Sequence, residues 1–418
     1  MIYKKKNNLI YLSSILLTIF PVSLITGPFI PEIIIFFLNI IFLLSNNSIK
    51  KILKYCNFLI YVLFIFNILI IISSILSLNI IFSLKNSFFF FRYIIFVMSV
   101  CWIYEKNPKI INYIFYSFSF SFFILFLFLL PELIFNYNIL LGEKIGLIKD
   151  SLGNETGHAF SRFKNSSLFG DEWIMGSYIS RFFCFYIGIY FILESQFKKK
   201  VNKIFFFSIF TALFCVFFSG ERLSFFFIII AIFMLILLLK IFLKVKYILL
   251  ISILLFFSIL FTFTKQKERL IYQTSKQILS TSTYLYSPDH ESHIMTAYSI
   301  FKYNKFFGVG PKNFIYECKN KKYLNNNLSC SNHPHNFLFQ LLSETGLFGL
   351  LIPFGIFLII CMKLINNFFT NRISNFNICI LIFYFIALMP FTPNGSFFNN
   401  WLNLLSFLPL GFYINQNK

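Results

Sequence analysis

Long uninterrupted apolar runs constrain this chain more than any other feature. Several reach the roughly 18–20 residues that a helix needs to cross a bilayer. In lipid every backbone polar group must be satisfied internally, so the choice is between helices and a closed barrel. Continuous apolar runs, rather than alternating ones, point to helices. Composition agrees: the 418 residues are 58% hydrophobic and only 12% charged. We therefore expect an all-α polytopic membrane protein forming a single integral domain over 1–418. About twelve spans are expected, near 9–26, 29–45, 58–78, 88–104, 110–131, 174–194, 204–219, 222–240, 247–263, 336–360, 377–391 and 400–414. The first run follows Lys4, Lys5 and Lys6 as a signal peptide would. It lacks a small-residue cleavage site and the next span follows at once, so it reads as a retained helix.

With the N-terminus in the cytoplasm, the inner loops carry 18 basic residues against one acid, Glu105. That is the positive-inside pattern, and it accounts for much of the net charge of +21 without nucleic acid. Both termini then lie inside. Two large periplasmic loops are expected, approximately 132–173 and 264–335. The second holds ten basic residues and four acids, a balance that suits an anionic substrate at the outer face. All five histidines, His158, His290, His293, His333 and His335, fall in these two loops.

Of eight cysteines, only Cys318 and Cys330 share an outer loop. In an oxidising compartment they are candidates for a disulfide, stabilising the segment by roughly 2–3 kcal/mol. A zinc site from Cys318, Cys330, His333 and His335 competes, although its spacing fits no standard pattern. Arg92, Arg181 and Arg222 interrupt apolar runs at a cost of about 2.5–3.5 kcal/mol for a central arginine. Each either snorkels or pairs internally, or together they form an anion site, for which the guanidinium fork is suited. For Arg222 the internal partner would be Glu221. Asp171 and Glu172 begin a span, either complementing a helix N-terminus or orienting a catalytic group.

The stretch "HPHNFLFQLLSETGLFGL" places Pro334 before a helix that begins near Asn336, with His335 at the water boundary. An imidazole there suits general-base chemistry on a hydroxyl. Glu344 is nine residues further on, half a turn out of phase, so it pairs elsewhere. Gly346 and Gly349 make a thin face for another helix. The chain has no G-x-S-x-G, H-E-x-x-H or P-loop motif, which weakens hydrolase, metalloprotease and ATPase readings.

These segments resemble the O-antigen ligase and O-antigen polymerase family. The similarity rests on "HPHNFLFQLLSETGLFGLL" (333–351), "FFGVGPKNF" (306–314) with the preceding "HIMTAYSIF" (293–301), and "SGERLSF" (219–225). "LFGDEWIMGSYISR" (168–181) and "PFTPNGSFFNNW" (390–401) also look like members. The resemblance implies a twelve-helix glycosyltransferase of the bacterial inner membrane with no metal and no cofactor. It would take glycan from an undecaprenyl-diphosphate donor to a hydroxyl on an acceptor glycolipid at the periplasmic face, in lipopolysaccharide or surface polysaccharide synthesis. The acceptor would be lipid A-core or another lipid-linked unit. By position His335 looks like the catalytic histidine and Arg222 like an arginine that binds the diphosphate. A second family arginine, seven residues before Ala297, is replaced here by His290. His293, Arg269 or Arg181 are the candidates to substitute, with His333 as a neighbour that positions His335. The competing reading is a transporter or flippase of lipid-linked saccharides. It would need polar residues near the bilayer midplane, whereas here they gather at one face.

Overall fold

A computed structural model describes residues 2–45, 49–141, 164–194, 198–241 and 266–417, apart from 282, 284 and 325, with scattered residues between 143 and 157 and between 247 and 262. Helices dominate, and among the described residues seven are long and apolar enough to cross a membrane by length and composition. Three shorter apolar helices, Phe29–Ser45, Arg222–Leu238 and Asn375–Ala387, coincide with expected spans. The last expected span is the helix Asn400–Gln416. Much of the expected 247–263 span, and His158, lie outside the described residues. Two short antiparallel ladders, Tyr137–Asn138 with Glu143–Lys144 and Leu147–Lys149 with Glu155–Gly157, are the strand pairs among the described residues.

Met175–Glu194 is the central helix. Of its apolar window 83% is buried inside the protein, against 33% for Phe58–Ile75 and for Phe337–Thr370. It packs against Asn375–Ala387, Lys198–Phe218 and Arg222–Leu238. Tyr178, Phe182 and Tyr186 are among the largest fully buried side chains and fill the surrounding core. A helix enclosed on all sides by other helices keeps whatever polar group it carries away from lipid, and this one carries Arg181.

Two boundaries differ from the sequence expectation. The span placed at 88–104 begins earlier: Ile80–Lys106 runs through as one candidate span of 27 residues. Arg92 is therefore interior to it, and it forms an ion pair with Glu32, donating from Nε at 2.9 Å and Nη2 at 2.8 Å. That pairing takes Arg92 out of the candidate anion site. The second difference is in Phe337–Thr370, which is broken at Gly346 by a non-helical φ of 67° and ψ of −165°. The Gly346 face accepts a loop, not a helix. A Cβ there would stand 2.3 Å from the backbone of Phe306.

That loop is the F-F-G-V-G-P turn. Leu347 N–H donates to the Lys305 carbonyl at 2.8 Å and Gly310 N–H to the Glu344 carbonyl at 2.7 Å. Ser73 Oγ donates to the carbonyl of Phe307 at 2.6 Å. The turn thus sits between Phe58–Ile75 and the kink. Because it follows directly on the Pro288–Tyr303 helix, the kink fixes where that helix lies.

Candidate active site

Asn336 caps the helix after the histidine motif, its side chain accepting from Phe339 N–H. The residue before the cap, His335, has a left-handed φ of 55°. Such a conformation is strained for a non-glycine residue and persists only where its surroundings impose it. Here Asn394 N–H donates to the His335 carbonyl at 2.6 Å. His333 Nε2 lies 3.3 Å from the Asn394 carbonyl, which holds its ring beside the same loop.

Two helical turns of Pro288–Tyr303 bring in two more imidazoles. The His335 ring centroid is 4.1 Å from that of His333, 5.0 Å from His290 and 5.5 Å from His293. Four of the five histidines thus meet. Burial, then the neighbouring imidazoles His333, His290 and His293, push His335 down to about 3. Burial likewise takes His333 down to about 4, against the Asn394 carbonyl contact, which favours its protonated form. His290 and His293 are lowered too, by burial first. All four are neutral near pH 7. Clustered cations would repel, so each ring disfavours protonation of the others.

Arg222 stands next to this cluster, and Arg269 next to Arg222. Arg222 donates from Nη1 to Gln277 Oε1 at 2.5 Å and from Nη2 to Gln273 Oε1 at 3.4 Å. Its charge contributes to the lowering of His290. Arg269 donates from Nε to the Gly220 carbonyl at 2.8 Å. Burial, then Arg222, push Arg269 down to about 10, so it stays charged at neutral pH. Arg222 Nε and Arg269 Nη1 are buried without a hydrogen-bond partner among the described residues. Neither arginine makes an ion pair among the described residues. Glu221, the expected partner of Arg222, is used elsewhere: its carboxylate accepts from Gly176 N–H at 2.5 Å, Ser177 Oγ at 2.8 Å and Ser224 Oγ at 2.9 Å. Lys164 belongs to the same positive region. It is lowered by burial, then by Arg269, and lies over the Trp173 ring at 4.3 Å. Glu221 offsets part of the charge on Arg269 and Lys164, but it makes no ion pair with them among the described residues, and neighbouring cations with unfilled donors are suited to a multiply charged anion.

Arg181 reaches the histidines by another route. Its Nη2 donates to Asn394 Oδ1 at 2.6 Å, and its Nε is buried without a partner.

Three residues singled out from the sequence are placed away from the histidines. Asp171 and Glu172 are exposed, because Glu221 already occupies the N-terminus of Met175–Glu194. Glu344, fully buried, accepts from Gln340 Nε2 at 3.0 Å and lies 3.4 Å from Phe314 N. It therefore supports the turn at 306–314 rather than His335. Cys318 and Cys330 are disulfide-bonded with Cα atoms 5.2 Å apart, which leaves neither thiolate free for zinc. Sequence reasoning missed Asn394, Gln273, Gln277 and Lys164, all of ordinary polar type and distant in sequence. The only signal for Asn394 was its place in "TPNGSF".

Residues 207–354 match the family model described as O-Antigen ligase. The matched segment contains Arg222, Arg269 and the four clustered histidines. No curated protein matches the chain. With the membrane-spanning helices, the match supports a bacterial membrane protein with an O-antigen ligase- or polymerase-type function.

Proposed function

From the O-antigen ligase match over residues 207–354, we propose a glycosyltransferase that takes glycan from an undecaprenyl-diphosphate donor to a sugar hydroxyl at the periplasmic face. In this reading the chain is one domain with twelve spans and cytoplasmic termini. The loops near 132–173 and 264–335 face outward. One observation carries it: neutral His335 lies in a histidine cluster beside two cations, Arg222 and Arg269, whose buried N–H groups have no partner.

The donor diphosphate sits on Arg222 and Arg269, with Lys164 adding charge and His290 a neutral donor. The acceptor oxygen attacks the anomeric carbon while the bond from that carbon to the diphosphate oxygen breaks. The bonding electrons leave with the diphosphate, and the acceptor proton goes to His335. Diphosphate is a good leaving group, so no strong acid and no metal are needed. The preorganised guanidinium groups stabilise the charge that develops on it. The bound diphosphate also corrects the low basicity of His335. Its negative charge favours the imidazolium and moves His335 back toward the neutral range where a general base works best. His333 orients His335 through the Asn394 loop.

Purified protein supplied with undecaprenyl-diphosphate glycan and either lipid A-core or a second lipid-linked unit tests this. Transfer to one acceptor, lost in His335→Ala, is the expected result. Lipid movement across liposomes with no transfer to either acceptor would replace the enzyme reading with the flippase one.

A further inference from the structure

A cavity of about 340 Å³ lies between Phe58–Ile75, Phe337–Thr370, Asn375–Ala387 and Asn400–Gln416. Phe66, Ile356, Leu381 and Phe407 give it apolar walls, and Arg181 and Asn394 also line it. Arg222, Arg269 and the histidines do not. Its volume falls at the low end of the about 300–1,000 Å³ usual for small-ligand sites. Phe337 and Lys363, on either side of the Gly346 kink, both line it, and a volume at that low end suits one chain rather than two side by side.

Arg181 makes this more than a packing gap. Only 7% of it is exposed, and among the described residues it hydrogen-bonds Asn394 alone and its Nε has no partner. The carboxylate of Glu221 attracts it but is taken up by Gly176, Ser177 and Ser224, so this buried guanidinium has no direct ion pair among the described residues; that is unfavourable beside apolar space, and an anion would offset it.

We propose that the cavity binds a single-chain lipid phosphate, with the hydrocarbon along the apolar walls and the phosphate at Arg181. The identity of that lipid rests on the transferase reading above. Asn394 contacts Arg181 through its side chain and holds His333 and His335 through its backbone. A phosphate at Arg181 therefore places its attached sugar beside His335, on a route distinct from the Arg222–Arg269 site. This makes the occupant the second reacting lipid, a polyprenyl-linked glycan whose hydroxyl is the acceptor. A multiply acylated glycolipid or a two-chain phospholipid does not suit a one-chain slot. The enzyme then lengthens lipid-linked glycan rather than capping lipid A-core.

Photo-crosslinking of the full-length protein with a diazirine-bearing polyprenyl monophosphate that carries no glycan tests the slot without requiring transfer. Label is expected on peptides covering 352–360 and 402–410. Arg181→Met should weaken labelling roughly tenfold, the loss of one charge-assisted contact. Gly355→Leu should block it while preserving the fold, since a Cβ at Gly355 meets nothing within 4 Å. Arg222→Gln should leave it in place. Label absent from both peptides, unchanged labelling in Gly355→Leu, or displacement by excess phosphatidylglycerol would overturn the slot. Transfer to lipid A-core in preference to a lipid-linked unit would overturn the acceptor assignment. Absence of transfer to any acceptor, with cavity labelling intact, would strike the transferase reading instead.

Discussion

Gly346→Ala tests whether the kink positions the histidine helix. Gly346 holds φ at 67°, where a side chain costs about 1–2 kcal/mol. The new Cβ would stand 2.3 Å from Phe306 backbone atoms and 2.5 Å from Phe307 N, so backbone must move. That movement breaks the bonds from Leu347 N–H to Lys305 at 2.8 Å and from Phe348 N–H to Phe306 at 3.2 Å. Each contributes about 1 kcal/mol. The sum is a destabilisation of about 3–4 kcal/mol. The same shift displaces His290 and His293 from His335, so glycan transfer should fall more than folded yield. Gly355→Ala is the matched control for unfolding only, a helical glycine with open space at its Cβ position, where alanine favours the helix; transfer is compared with the unsubstituted protein, because Gly355 lines the proposed slot. Thermal unfolding in detergent reads both. Gly346→Ala should unfold lower than the control by about 5 °C or more. Equal unfolding temperatures and equal transfer rates would refute the role assigned to the kink.

Replacing Arg222 or Arg269 by Gln should each weaken donor use roughly 10–100-fold, the value of one or two charge-assisted hydrogen bonds, measured as kcat/KM. Unfolding temperature should hold or rise, because an unpaired buried charge is removed. The acid limb of kcat should lie at higher pH than that of kcat/KM. His335 is low in the free protein, at about 3, and the bound diphosphate raises it; coincident limbs would count against that coupling. The depressed histidines also set acid stability. The unfolded chain takes up protons below about 6.5 that the folded cluster refuses, so stability is full above that pH and falls as pH drops toward about 4 and 3. Denaturation midpoints across pH 4–7 measure this, and a flat profile would contradict it. Reducing Cys318–Cys330 should cost roughly 2–3 kcal/mol, read as a lower unfolding temperature with reductant.

Membrane class and the start of the helix after the histidine motif were legible because they depend on local composition and spacing. Apolar runs decide solvent by themselves, and a proline before an Asn cap sets the helix start at 336–337 wherever that helix lies. Helical phase also sufficed to separate Glu344 from His335, since both are on one segment. Arg92 and Arg181 were indistinguishable in sequence, each a single arginine in an apolar run. The fold gives Arg92 the carboxylate of Glu32 and gives Arg181 only Asn394. Glu221 and Arg222, adjacent in sequence, have separate partners because the hairpin turns one toward Met175–Glu194 and the other toward Gln273 and Gln277. Sequence alone therefore determined that the chain is helical and suited to a membrane. Tertiary packing decided which charges are neutralised and which remain open to an anion, because a buried charge is set by partners from distant segments rather than by its neighbours in the chain.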